Sequence, residues 1–283
     1  MKRLIIPVLT GIGFCFVQLA ANAQEFKQHI SKEFSQQKGV VVIDNLNGSV
    51  KVEGYSGNKV MIEVDETIKA DDQQALDEAK KEFELGFDQK QDSVIAYTAE
   101  PYDTRPNHWE HNRYDRGRDY EVILEYTVKV PFNSDLYVST VNNGHISVKD
   151  VYGSLKVHNV NGSIAIVNAK GTTDARTVNG PVTVNYLSNP PDASSYASIN
   201  GELNVTYPAS LSADVQFKSM NGQFYTDFQD TEVLPTRVVK SETKNGNGTV
   251  YKLSKNSDVR FGSGGKIFKF ETLNGNIYIK KQQ

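Results

Sequence analysis

Short stretches of alternating apolar and polar residues recur along the chain, and each begins two residues after a glycine. The apolar members of these stretches are Val50 and Val52, Ile146 and Val148, Leu155 and Val157, Ile164 and Ile166, Val182 and Val184, Leu203 and Val205, and Ile277 and Ile279. Polar residues such as Lys51, Ser147 and Thr183 stand between them. A period of two is typical of β-strands with one buried face, so each stretch is predicted to be a strand.

The glycines themselves are regularly spaced. Consecutive members of the series Gly144, Gly153, Gly162, Gly171 and Gly180 are nine residues apart, and Gly201 and Gly222 follow at intervals of 21. Asparagine precedes seven of the glycines that fit this strand pattern, usually with an apolar residue one position earlier and a small polar residue before that. These dipeptides are Asn47-Gly48, Asn143-Gly144, Asn161-Gly162, Asn179-Gly180, Asn200-Gly201, Asn221-Gly222 and Asn274-Gly275. Because Asn-Gly tolerates positive φ, each dipeptide predicts a sharp turn.

This spacing predicts an all-β fold built as a single-stranded, right-handed parallel β-helix, or β-solenoid. Asparagine precedes every second glycine in the nine-residue series, so one coil spans 18 residues with two flat segments, and later coils widen to 21. The Asn-Gly dipeptides then form a structural turn ladder, with stacked amides hydrogen-bonded along one edge. An antiparallel meander with two-residue turns is the alternative, but it does not require a constant interval in one phase.

The rest of the chain departs from this pattern. Residues 40–64 are predicted to form strands, and residues 71–83 a helix that Asp71 caps, with Gln74 at the capping-box position. Strands are also predicted at residues 94–98 and 120–130, and a hairpin at 236–253 closing on the Asn-Gly sequence at 245–248. The final strand, 276–280, is expected to pair with the open end of the stack. We expect one solenoid domain over residues 24–283, with regular coils at about 136–228, a helix insertion at 71–85 and an irregular loop at 101–119.

The first 23 residues have the pattern of a secretory signal peptide. Lys2 and Arg3 precede an apolar stretch over residues 4–20, and Ala21-Asn22-Ala23 forms an A-x-A cleavage sequence before Gln24. An uncleaved membrane anchor is the alternative. The pattern predicts export to the periplasm, the outer surface or the medium. The only cysteine, Cys15, lies in this segment, so the mature chain is predicted to have no disulfide, thiol nucleophile or cysteine-ligated metal.

Charge and composition narrow the partners further. The formal net charge is −3, and loss of Lys2 and Arg3 makes it more negative by two, which argues against nucleic-acid binding. No later apolar run is long enough to span a bilayer. No cofactor is expected, and a cell-envelope polysaccharide or protein is the expected partner.

The segment at 101–119 has the most unusual composition in the chain. It contains the only tryptophan, and its candidates for ligand binding are Trp109, Arg113, Tyr114 and Arg116. Such a mixture of aromatic and arginine side chains suits sugars or a protein partner, whereas a solvated connecting loop is the simpler interpretation. A zinc site at His108 and His111 is disfavoured, because no helical H-E-x-x-H motif or cysteine accompanies them.

The leader, the recurring apolar-Asn-Gly-x-apolar-x-apolar units and the terminal L-N-G-N-I-Y-I sequence together resemble the bacterial "putative adhesin" family. That family is a β-strand-repeat domain of unknown function, similar to auto-transporter adhesin heads and to the toast-rack domains of envelope-stress proteins. The resemblance covers most of the mature chain. It implies a right-handed single-stranded β-helix at the bacterial surface or in the periplasm, and it supplies no catalytic residues.

Three functions are compatible with the sequence. The first is a structural or adhesive binding module of the cell envelope without catalysis. The second is an accessory of envelope-stress signalling that acts through a membrane-protein partner. The third is a polysaccharide-active β-helix enzyme, which is disfavoured because Asp150, Asp174 and Asp214 do not recur in one phase and the calcium-binding G-G-x-G-x-D pattern is missing.

Overall fold

A computed structural model describes residues 24–35, 39–101, 103–105, 119–245 and 248–283, and for residues 236–245 and 248–257 it describes the backbone alone. The predicted leader, residues 1–23, lies outside the described residues. The first half of the described chain contains one helix, α1 (Gln73–Glu82), and ten strands. The strands are β1 (Gln24–Ser35), β2 (Val40–Asp44), β3 (Val50–Tyr55), β4 (Lys59–Ala70), β5 (Glu84–Gln89), β6 (Ser93–Glu100), β7 (Tyr120–Pro131), β8 (Asp135–Thr140), β9 (Ile146–Lys149) and β10 (Leu155–Asn159).

The second half adds eleven strands. They are β11 (Ile164–Ala169), β12 (Thr173–Asn179), β13 (Val182–Tyr186), β14 (Ser194–Asn200), β15 (Leu203–Tyr207), β16 (Ala213–Asn221), β17 (Phe224–Thr226), β18 (Thr231–Asn245), β19 (Gly248–Phe261), β20 (Lys266–Asn274) and β21 (Ile277–Lys281).

The strands form two large mixed sheets. Sheet A has ten strands in the order β1-β4-β7-β3-β9-β11-β13-β15-β21-β17. Sheet B has eleven strands in the order β18-β19-β16-β20-β14-β12-β10-β8-β2-β6-β5. Antiparallel strands lie at both ends of the molecule. At one end, which we call the antiparallel end, β1 and β4 lie beside β7 in sheet A and β5 beside β6 in sheet B. At the other end β18 pairs antiparallel with β19 in sheet B.

The prediction of an all-β chain is confirmed, but the single-stranded parallel β-helix is wrong. Neither sheet closes on itself, and both mix parallel with antiparallel pairs. Strand order also departs from chain order, because β20 lies between β14 and β16. Within the parallel part Leu155 pairs with Thr173, 18 residues later, and Asp174 pairs with Ser195, 21 residues later. Period-two alternation tells which side chains face inward, but it does not tell which strand pairs with which.

One buried cluster between the sheets contains all seven of the alternating apolar pairs. Val50, Val52, Leu155 and their counterparts have at most 2% exposure. Burial of such a side chain stabilises the fold by about 1.5–3 kcal/mol. The alternating positions therefore form the core, as predicted from the sequence.

The seven Asn-Gly dipeptides all lie where the chain passes from sheet B to sheet A, as between β10 and β11. The antiparallel two-residue hairpin is therefore wrong at these positions. The predicted positive φ is also wrong for most of them, since only three of the seven dipeptides have it, at Gly48 (φ 111°), Asn143 (φ 53°) and Gly180 (φ 152°). The requirement for glycine is steric instead. A Cβ on Gly162 would lie 1.9 Å from the carbonyl oxygen of Gly144 in the adjacent turn.

The small polar residue before each apolar-Asn-Gly sequence faces inward and satisfies a turn carbonyl. Thr177 Oγ1 donates to the oxygen of Gly162 at 2.9 Å, and Ser198 Oγ donates to that of Gly180 at 2.9 Å. The Nδ2 of Asn159 donates to Gly144 at 3.0 Å in the same way. Buried carbonyls need such partners, so these residues allow the turns to stack without solvent.

The helix and the hairpin are confirmed with shifted boundaries. Asp72 rather than Asp71 caps α1, accepting a bond from Ala75 N at 2.8 Å. Strands β18 and β19 pair antiparallel from Thr231 onward, a longer hairpin than predicted. The expectation for the last strand is wrong, because β21 lies inside sheet A between β15 and β17.

Candidate functional site

Six side-chain amides form a chain of hydrogen bonds across the strand ends of sheet B. The Nδ2 of each residue donates to the Oδ1 of the next at 2.7–3.0 Å. In donor-to-acceptor order this asparagine ladder is Asn221, Asn274, Asn200, Asn179, Asn161 and Asn142. All its amides point the same way, so the end at Asn142 presents a donor group and the end at Asn221 presents an acceptor.

Two of the asparagines predicted for the turn ladder lie beside this chain rather than in it. Asn142 occupies the place expected for Asn143, whose backbone has a positive φ of 53°. Asn47 makes a parallel bridge with Asn142, but its side chain turns to strand β7. The ladder therefore ends where the regular parallel region meets the antiparallel strands.

A cleft of about 500 Å³ opens at this end of the ladder. We call it the asparagine cleft. Its walls come from the β2–β3 turn, the start of β7, the end of β6 and the residue after α1. Among its lining residues are Asn47, Phe83, Pro101, Tyr120, Glu121, Asn142, Asn143 and Asn161.

The polar wall is organised around one carboxylate. Glu121 Oε1 accepts bonds from Asn47 Nδ2 at 2.8 Å and from Asn143 Nδ2 at 3.4 Å. Asn47 Nδ2 also donates to the oxygen of Val122 at 3.1 Å. The Oδ1 of Asn47 is buried and has no hydrogen-bond partner among the described residues. Amides, a carboxylate and an unsatisfied carbonyl together offer both donors and acceptors to a ligand.

The opposite wall is apolar and aromatic. Phe83 and Tyr120 line it, and the Tyr120 hydroxyl donates to Glu82 Oε2 at 2.9 Å, which fixes the ring. Flat rings beside convergent amides are the combination found in sites that bind polar ligands with an apolar face.

A buried carboxyl group, that of Asp44, lies close to the cleft and is connected through Thr104 to the lining residue Thr98. Thr98 N donates to Thr104 Oγ1 at 3.0 Å, and Thr104 Oγ1 donates to the backbone oxygen of Asp44 at 3.2 Å. Burial raises the pKa of the Asp44 carboxyl to about 6, and the nearby Asp103 charge acts in the same direction, although Ser139 Oγ donates to it at 2.8 Å. The Oδ2 of Asp44 is buried without a partner among the described residues.

The candidate binding residues Trp109, Arg113, Tyr114 and Arg116 lie outside the described residues, as do His108 and His111. Arg105, at the start of the same segment, is described: it pairs with Asp103 and with Asp88, and its guanidinium lies 4.3 Å from the Tyr97 ring centre. Sequence reasoning missed Glu121, because a single acidic residue at the start of a strand carries no signal of its own.

Within the part of the chain that the structure describes, no group of three or more histidine, cysteine or acidic residues could hold a metal ion. The same residues include no helix long and apolar enough to cross a membrane.

No family model matches the chain, and no curated protein matches it. Its fold is similar to solved structures at low identity. A "putative cell adhesion protein" from Clostridium sporogenes is 12% identical with a TM-score of 0.41, covering 91% of this chain and 100% of that one. A "putative adhesin" from Bacteroides fragilis is 10% identical with a TM-score of 0.35, covering 90% and 97%. A "putative lipid binding protein" from Parabacteroides distasonis is 9% identical with a TM-score of 0.31, covering 93% and 98%. Similarity at this level assigns no function to the chain.

Proposed function

We propose that this chain is an exported, non-catalytic binding protein of the cell envelope, and that its asparagine cleft takes a carbohydrate. Export rests on the predicted leader at residues 1–23. The resemblance to the adhesin family that the turn sequences suggest agrees with a binding role. The cleft supplies the chemistry, and the following geometry supports it.

One observation carries the proposal: the asparagine ladder ends with its donor group in a cleft that already holds Glu121. Asn142, Asn47 and Asn143 place amides around the carboxylate, which can accept from a sugar hydroxyl. Phe83 and Tyr120 provide ring surface for the apolar face of a pyranose.

Absence of catalysis is supported by the lining of the cleft. Glycoside hydrolysis needs two carboxyl groups across the scissile bond. The described lining of the cleft includes one, that of Glu121, and its near neighbours are amides. Amides neither give nor take protons near neutral pH, so this wall suits recognition rather than acid–base chemistry.

Binding to a glycan array, followed by titration calorimetry on each glycan that scores, tests the proposal. We expect saturable binding by the full chain, and a roughly tenfold or greater loss of affinity in Glu121→Gln, since a hydrogen bond to a charged group is worth about 1.5–3 kcal/mol. A smaller loss is expected in Asn142→Ala, because a hydrogen bond from a neutral donor is worth about 0.5–1.5 kcal/mol. Asn204→Ala, on the outer face of β15, is the matched control and should bind like the wild type.

Two outcomes would overturn the proposal. An array without a single saturable ligand would remove the carbohydrate. Shortened or unsaturated oligosaccharides after incubation, detected by mass spectrometry, would show turnover and make the cleft an active site.

A further inference from the structure

The two sheets do not end together beside the antiparallel strands. Beyond β3, sheet A continues with β7, β4 and β1, whereas beyond β2 sheet B continues only with β6 and β5. At this end sheet A therefore has one strand more than sheet B. Strands β1 and β5 are in contact near one end, where the ring centres of Phe34 and Phe87 are 6.3 Å apart.

The burial of β1 reflects this missing neighbour. Its inward residues Phe26, Ile30 and Phe34 are only half-buried. The inward residues of the adjacent β4 include Val60 and Val64, which have 0% exposure. Helix α1 covers one end of β1, where Phe26 packs against the cluster containing Leu76 and Ala79. The remaining inner face of β1 looks across to Leu85 and Phe87 of β5.

A second cleft, of about 430 Å³, lies between the inner face of β1 and β4 and strand β5. We call it the strand slot. It is lined by alternate residues of β1, by β5 and by Lys80 and Phe83 at the end of α1. Within the described ranges, β5 pairs only with β6, so its other edge presents backbone donors and acceptors to the slot. A free edge beside an apolar face is the arrangement that accepts an added strand.

Two charged side chains, Glu66 of β4 and Lys32 of β1, line the strand slot. Glu66 is 4% exposed, faces inward between Val64 and Ile68, and accepts a bond from Gln28 Nε2 at 3.3 Å. Lys32 lies four residues beyond Gln28 on the same face of β1, with its Nζ 5.8 Å from the Phe87 ring centre. Burial of a carboxyl with one weak partner is costly unless a further donor or a proton meets it.

We propose that the strand slot binds an extended segment of a partner protein, which adds to sheet B along the free edge of β5. The inward residues of β1 and β4 that face the slot are paired across the two strands. The pairs are Phe26 with Ile68, Gln28 with Glu66, Ile30 with Val64 and Lys32 with Ile62. A strand that complements them carries an apolar residue, a basic residue, a second apolar residue and an acidic residue at alternate positions. The basic residue meets Glu66, and the acidic residue meets Lys32.

Lys32 also explains why the open end selects among strands. An inward lysine on an edge strand opposes the addition of a purely apolar strand, because its ammonium would be buried without a partner. An acidic residue in the added strand removes that penalty. The positive charge of Lys32 therefore favours binding of a strand with an acidic residue at this position and disfavours aggregation through purely apolar strands.

Fluorescence anisotropy with a labelled seven-residue peptide tests the proposal. The peptide is Val-Thr-Lys-Thr-Val-Thr-Glu, and its reversed sequence is tested beside it because either strand direction can add to β5. We expect one of the two to bind saturably. In Lys32→Glu the affinity should fall roughly tenfold or more, and changing the last peptide residue from Glu to Lys should restore it, as expected for a direct charge pair.

Lys27→Glu is the matched control, since Lys27 is exposed on the outward face of the same strand. It should change the affinity by less than about twofold. The proposal is overturned if neither peptide binds at millimolar concentration, if both lysine variants weaken binding equally, or if the charge-swapped peptide fails to restore it. Binding of dodecanoate without binding of either peptide would overturn it in favour of an amphiphile site.

Discussion

Two aspartates, Asp174 among the regular parallel strands and Asp44 beside the asparagine cleft, have opposite pKa shifts because their surroundings differ. In the parallel region, burial opposes ionisation of Asp174, but His158, Arg176 and Ser195 outweigh it and hold the pKa of this carboxyl below its ordinary value. In the antiparallel end, Asp44 has Ser139 as its side-chain partner, and burial raises its pKa to about 6. Asp174 thus has three side-chain partners that favour its charged form, whereas Asp44 has one.

The same contrast holds for the backbone turns and the clefts. Each stacked turn satisfies a carbonyl of its neighbour, as Thr177 does for Gly162. Both described clefts instead lie at the end of the molecule that contains β1, β4, β5 and β7. The repeated turns therefore stabilise the packing of the strands, and the two clefts that could bind a ligand lie outside the repeated part of the fold.

The largest expected effect comes from filling a stacked turn. In Gly162→Ala the new Cβ would lie 1.9 Å from the oxygen of Gly144, a backbone atom that cannot move without displacing the next turn. We expect a loss of about 3–5 kcal/mol or failure to fold, measured by urea unfolding. In Gly57→Ala, at the antiparallel end, the near atoms belong to the Tyr55 ring, which can rotate, so a much smaller loss is expected. Equal losses in the two variants would contradict the steric role of the stacked turns.

The next effect depends on pH and separates the two aspartates. The folded pKa of Asp44, about 6, exceeds its ordinary 3.8, so the folded state binds the extra proton and stability falls as pH rises from about 4 to about 6. The shift corresponds to a loss of roughly 3 kcal/mol, fully expressed above pH 6. Asp44→Asn should therefore be more stable than the wild type at pH 7.5 and similar to it at pH 4, as measured by urea unfolding.

Asp174 has the opposite sign, because its folded pKa is lowered. Its contribution is present above the pKa of the unfolded chain and is lost as pH falls toward the folded value. Asp174→Asn should thus lose stability at pH 7 and approach the wild type only in acid. For Asp44, a loss of stability in Asp44→Asn at pH 7.5 would show that the buried carboxylate does not destabilise the fold.

A smaller effect is expected from the inner polar residues. Thr177→Val keeps the shape of the side chain but removes the donor to the Gly162 oxygen at 2.9 Å. A buried carbonyl left without its partner costs about 1–3 kcal/mol, which a shift of the urea midpoint at constant slope would report. Thr183→Val, on the outer face of β13, is the control and should stay within about 0.5 kcal/mol of the wild type.

The smallest effect is expected in the asparagine ladder itself. Asn179→Ala interrupts two amide bonds, to Asn161 and from Asn200, but both lie at the exposed surface. We expect a loss of about 0.5–1.5 kcal/mol, because water replaces the lost partners. A loss as large as that of Thr177→Val would show that the outer ladder, and not the inner donors, holds the turns together.

Much of the strand content could be predicted, because burial and period are local properties of the sequence. The alternating pairs such as Leu155 and Val157 are core residues, and the helix lies within one or two residues of its predicted bounds. Pairing could not be predicted in the same way. The stretch before Lys280 has the same turn sequence as the others, yet β20 and β21 insert beside β14 and β15, ahead of β16 and β17.

The candidate site was still less visible in the sequence. The composition of residues 101–119 drew attention to Trp109 and its neighbours, which lie outside the described residues. The two clefts instead gather residues that are far apart in the chain, such as Asn47 with Glu121 and Gln28 with Glu66. Of these residues only Asn47 belongs to a sequence motif, and that motif says nothing of Glu121, so only strand pairing brings them together.

The sequence by itself determined which side chains are buried and where the chain turns, since alternation and Asn-Gly dipeptides act over a few residues. Only the tertiary structure decided that the strands form two mixed sheets and that most of the turn glycines are needed for close stacking rather than for positive φ. It also decided that sheet A has one strand more than sheet B at the end that contains β1 and β5. The physical reason is that several strand orders bury the same apolar faces. The choice among them depends on long-range packing and on which edges remain open.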